Sequence, residues 1–166
     1  MEEGGREIRC RRLILSSLLA IGLFAAPANA ASLSDLSEQV NRAVAGGLDE
    51  QQEQALFGSL GEFSAELANR YDAWARSGGA EAKGSAANLA DALLPLLERL
   101  YQYHQGKIDR AQNDIIAQDG NPEVLYDQKW WQLDRGFSLA AAGQLSWLHY
   151  RAAMLHPEAK EKREQC

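Results

Sequence analysis

Apolar residues recur along this chain three or four positions apart, the period of helices buried on one side. The first run is Leu33, Leu36, Val40 and Val44, which predicts a helix from about Ser34 to Ala45, halted by Gly46-Gly47. A second run, Leu56, Leu60, Phe63, Leu67, Tyr71 and Trp74, follows Asp49. Asp49 suits an N-cap, because its carboxylate can accept from the free amides of a first turn. This second helix is expected to reach Ser77 and close on Gly78-Gly79. The third run is Leu89, Leu93, Leu96, Leu97, Leu100, His104, Ala111 and Ile115. Its helix is expected to start between Ala80 and Ala86 and to end around Gln118. Pro95 lies inside it and is expected to kink it, since proline removes a backbone donor and clashes one turn back. Asp119-Gly120 then forms a turn pair. Asn121-Pro122-Glu123 reads as an N-cap, a first-turn proline and an acidic first turn. It predicts a fourth helix running to His156, where Pro157 stops it.

Short connections make neighbouring helices antiparallel. The expected fold is all-α: an up-and-down antiparallel four-helix bundle over residues 31–156, with a short first helix. A three-helix bundle carrying a loose N-terminal helix is the alternative. Composition sharpens this expectation. Threonine is absent, and only six β-branched residues follow residue 30, against 22 alanines. Strands favour β-branched and aromatic side chains, whereas Ala and Leu favour helix.

The N-terminus carries a different signal. Arg6, Arg9, Arg11 and Arg12 precede the apolar stretch from Leu13 to Ala26, and Pro27 and Ala28-Asn29-Ala30 follow it. A basic start, a short apolar run and small residues before a cut after Ala30 are the marks of a secretory signal peptide. The run is shorter than the roughly 20 apolar residues of a membrane span. The acidic Glu2, Glu3 and Glu7 are unusual in such a segment and leave open a start later than Met1. The expected organisation is therefore a cleaved signal at 1–30, a bundle at 31–156 and a charged tail at 157–166, in a periplasmic or secreted protein.

Cleavage would change the charge from −6 to −7 and leave Cys166 as the last cysteine. Cys10 precedes the apolar run and so cannot be a lipid-bearing cysteine. Cys166 can bridge to another chain or remain a solvated tail residue. The acidic balance argues against nucleic acid, which needs Lys and Arg in excess.

The fourth helix carries the most information. With Phe137 at zero on a helical wheel, Phe137, Ala141, Leu145, Leu148, Ala152 and Leu155 fall between about 0° and 80°, an ordinary core stripe. A second apolar arc, from about 200° to 280°, holds Leu139, Gly143, Trp147, Tyr150 and Met154. Such a helix is either covered on several sides or meets a partner. The expected interface is Trp147, Tyr150 and Met154, with Trp131 added because Trp130 continues the stripe and Trp131 must point elsewhere. Gln144 and Arg151 lie between the arcs, and Glu66 is the expected partner of Arg151, because an unpaired buried guanidinium is prohibitive.

His104 lies on the core stripe of the third helix, and antiparallel layering sets it opposite Leu133–Phe137. A lone buried histidine is usually a hydrogen-bonded core residue. A polar pocket formed by His104, Tyr101, Gln144, Arg151 and Glu66 is the second possibility. The chain has no CxxC, HxxxH or CxxCH, no nucleophile elbow and no phosphate loop, so no metal, haem or other cofactor is expected. Haem-binding bundles that use a first-helix Met and a last-helix His have no counterpart, because the first helix lacks Met. The expected function is non-catalytic: binding of another protein, or of a second copy, through the fourth helix. A small-ligand carrier with a pocket between the third and fourth helices is the alternative.

Overall fold

The computed structural model describes residues 32–157. The expected signal segment and its cleavage site, residues 158–166 of the tail, and both cysteines lie outside the described residues. Four helices follow in order: α1 (Leu33–Val44), α2 (Glu50–Ser77), α3 (Ala80–Ile116) and α4 (Lys129–Leu155), with a short 3₁₀ turn at Pro122–Leu125. No strand occurs among the described residues. The fold is an up-and-down helical bundle.

The helix ends follow from local chemistry. Ser32 and Asp49 each accept from the amide three residues on, while Asp35 and Gln52 return the bond, so α1 and α2 both begin with capping boxes. α2 ends on Gly78 at φ 67°, a left-handed cap that glycine adopts without strain. α3 ends at Ile116, two residues short of expectation. There Gly120 folds back so closely that a Cβ would lie 2.8 Å from Ile115 Cγ2. Pro95 does not interrupt α3, which is continuous over its 37 residues.

The start of the fourth helix differs from expectation. Asn121 does cap Glu123, but the segment it starts is the 3₁₀ turn, and α4 begins at Lys129. Tyr126 caps the 3₁₀ turn and lies outside α4.

Registry between helices is regular. Glu50 meets Lys129, Phe57 stacks on Phe137, and Ser64 bonds Gln144. These pairs keep an offset of 79 to 80 residues, so α2 and α4 run parallel. α3 runs antiparallel to both: Arg70 bonds Ser85, and His149 and His156 lie against Glu98 and Asp91. α1 and α4 each pack on α2 and α3. The main core is leucine-rich, with Leu36, Leu56, Leu60, Leu93, Leu97 and Leu100 fully buried. A smaller cluster of Ile108, Leu125 and Trp131 closes the far end of α3.

Candidate functional site

Two features of α4 depart from an ordinary bundle helix: a buried polar cluster on the side facing α3, and an exposed apolar stripe on the outside.

The cluster centres on Asp134. His104 Nδ1 lies 2.7 Å from Asp134 Oδ1, and against a carboxylate this nitrogen is the donor. Lys107 Nζ lies 2.8 Å from the same oxygen and 2.7 Å from Oδ2. His104 is fully buried and Asp134 nearly so, while the lysine stem reaches outward to partial exposure. Phe57, Phe137 and Tyr103 surround the imidazole at ring separations of 5.9, 5.1 and 5.0 Å. Burial pushes the Asp134 carboxyl up, but the hydrogen bonds from His104 and Lys107 outweigh it and hold the group below its ordinary value. Glu53, partly buried nearby, is raised, chiefly by burial and against the pull of His104 and Lys107. His104 Nε2 is buried without a protein partner. One turn along α4, Ser138 donates to Gln105.

The layering that set His104 opposite Leu133–Phe137 is therefore what the structure has, with Asp134 as its partner. Asp134 itself was not among the expected site residues. Its signal was present: it falls at about 60° on the wheel, inside the apolar arc, where a carboxylate needs a donor.

The expected pocket does not assemble around His104. Gln144 bonds Ser64 of α2 at 3.0 Å. Glu66 pairs with Arg70 one turn along its own helix, not with Arg151. The parallel offset explains this, because it sets Arg151 level with Tyr71, more than a turn beyond Glu66. Arg151 instead lies over the Trp147 ring, 5.8 Å from its centroid. Tyr101 packs half-buried against the main core. A separate cavity of about 230 Å³ does lie between α3 and α4, beside Trp131, Gln105, Gln112 and Arg135.

The tryptophan pair is reversed from expectation. Trp131 is 3% exposed and Trp130 44%. The 3₁₀ turn folds over the first turn of α4 beside α3, so the covered side is the one that carries Trp131. Trp131 packs on Ile108 and Leu125, with Tyr126 and Arg135 against its ring. Its indole Nε1 is buried without a protein partner. Trp131 is thus a core residue and not part of the interface.

The outer stripe is as expected from the wheel. Leu139, Trp147, Tyr150 and Met154 are 65%, 64%, 47% and 47% exposed, with exposed Gly136 and Gly143 on the same face. Trp147 and Tyr150 meet edge to face at 6.2 Å. Tyr71 of α2 borders Tyr150; its phenol is pushed up by burial and by that neighbour.

Among the described residues, no helix is long and apolar enough to cross a membrane and no group of three side chains is placed to hold a metal ion. Comparison with known protein families, known proteins and solved structures found no match to this chain.

Proposed function

We propose that this chain is an exported helical-bundle protein that acts by binding another protein chain through the outer face of α4, and not by catalysis. The observation that carries the reading is the run of exposed Leu139, Trp147, Tyr150 and Met154 along one side of a single helix. Single exposed apolar residues are ordinary, but a continuous patch of several hundred Å² marks a contact surface. Tryptophan and tyrosine are the residues that most often dominate binding energy. Export is supported by the basic-apolar-small pattern of residues 1–30. An intact mass lacking residues 1–30 in protein recovered from the expressing cells supports export; a retained segment refutes it.

The binding reading is tested by footprinting tryptophan and tyrosine side chains in dilute solution and in the cell. Trp130 serves as an exposed reference and Trp131 as a buried one. Trp147 and Tyr150 are expected to react in dilution and to be shielded in the cell. Shielding in a lone monomer at high dilution would refute the reading.

A second reading, a small-ligand carrier, is supported by the unpartnered Trp131 Nε1 beside the α3–α4 cavity. Its ligand would need a hydrogen-bond acceptor. At about 230 Å³ the space is smaller than common ligand pockets of roughly 300–1,000 Å³, which favours the first reading.

A further inference from the structure

We infer that the chain that covers the α4 stripe is a second copy of this one, paired antiparallel across a two-fold axis at Gly143. The inference rests on the binding role proposed for α4 and names its partner. Its basis is the order of side chains along the stripe. Gly136, Leu139, Gly143, Trp147, Tyr150 and Met154 follow one another by three or four residues, which keeps them in one straight line over five helical turns.

In an antiparallel pair centred on Gly143, residues equally distant from it face one another across the interface. Gly136 of one copy then faces Tyr150 of the other, and Leu139 faces Trp147. Each large ring meets a smaller side chain, as a self-complementary two-fold surface requires. At the axis Gly143 meets Gly143, where two backbones can approach most closely. A Cβ at either glycine would touch nothing within 4 Å in the single chain, so packing inside the bundle does not require glycine there. Glycine at these two positions leaves room outside the bundle for a neighbouring backbone or a large ring, at the usual cost of glycine in a helix interior.

Charge and area fit the same arrangement. Arg135 borders the stripe on the α3 side, where Glu98 lies against His149 and is partly exposed. The pairing sets Arg135 of one copy level with Glu98 of the other, within one helical turn and on the same flank. Given full side-chain areas of ~150–250 Å², the four exposed side chains offer roughly 500 Å² per copy. Two copies cover about 1,000 Å² before the flanks are added, against ~1,200–2,000 Å² for a stable interface.

Sedimentation equilibrium of the full chain as recovered from its cells, with reductant present to remove any Cys166 bridge, tests the pairing. The wild type is expected to be a dimer with a dissociation constant of about 1–100 µM. Leu139→Lys and Trp147→Glu alone are each expected to weaken it at least about tenfold. Leu139→Lys/Trp147→Glu in one chain places Lys opposite Glu at both ends only if the copies are antiparallel. That double variant is expected to regain at least about tenfold over either single. Gly143→Glu, which sets two carboxylates together at the axis, is expected to be monomeric and folded.

A wild type that stays monomeric at ~1 mM overturns the self-pairing. The broader binding reading fails separately, by the shielding of Trp147 and Tyr150 in that monomer. A dimer untouched by Gly143→Glu, or a double variant no better than the singles, overturns the register.

Discussion

On the side of α4 turned toward α3, Asp134 and Ser138 are buried; on the opposite side, Leu139, Trp147, Tyr150 and Met154 stand in solvent. The inner polar groups are each held by donors or acceptors from α3: His104 and Lys107 for the carboxylate, Gln105 for the hydroxyl. Outside, Trp147 and Tyr150 meet one another, Arg151 and Tyr71 at the edge of α2. A buried ion pair adds little net stability over apolar packing, yet it penalises every alignment that leaves one partner alone. The inner face therefore fixes how α3 and α4 align, and the outer face is left to act on something outside the bundle. Loss of a side chain should register on folding in the first case and on association in the second.

The largest effect on stability is expected at the inner face. Asp134→Ala strands a fully buried histidine and should lower the unfolding free energy by about 3 kcal/mol, measured by denaturant titration. His104→Leu/Asp134→Leu should restore most of that loss, because it removes both partners and Lys107 can turn to water. A double variant as unstable as Asp134→Ala would mean that the cluster stabilises through more than its pairing.

The second effect is on acid unfolding. The folded Asp134 carboxyl titrates below its ordinary value of 3.8, so its contribution is present above that value and is lost as pH falls through the lower, folded one. Asp134→Asn should flatten the acid limb of the stability curve below about pH 4. An unchanged acid limb would remove Asp134 from the account.

Glu53 should give a smaller effect of opposite sign. Burial raises its folded pKa above the ordinary 4.5, so its charge opposes folding at neutral pH, and that cost disappears as pH falls below the ordinary value. Glu53→Gln is expected to gain a few tenths of a kcal/mol at pH 7, small because the group is only partly buried, and nothing below about pH 4. Loss of stability at pH 7 would show that the charge is needed by the cluster.

The smallest stability change is expected outside. Trp147→Ala should stay within about 0.5 kcal/mol of the parent in denaturant, since it removes little packing inside the bundle.

Much of this was legible in the chain. Periodicity and caps located α1 and α2 to within a residue or two, because Asp49, Gly46 and Gly78 act locally, whereas the start of α3, which has no side-chain cap, was bounded only between Ala80 and Ala86. The α4 stripe was also legible, because a wheel depends on a single helix. What could not be read depends on how separate segments meet. Trp131 became core because Leu125 of the 3₁₀ turn and Ile108 of α3 close over it, a contact between distant parts of the chain. Arg151 missed Glu66 because the α2–α4 offset, invisible along either helix, sets it level with Tyr71. Asp134 needed both kinds of information: its place in the apolar arc was readable, its two donors on α3 were not.

The most direct test joins the two faces in one variant. Trp147→Glu should unfold within about 0.5 kcal/mol of the parent and lose at least about tenfold in self-association measured by sedimentation on the same sample. A variant that loses several kcal/mol of stability while its association is unchanged would show that the outer face of α4 belongs to the fold, and would contradict the account.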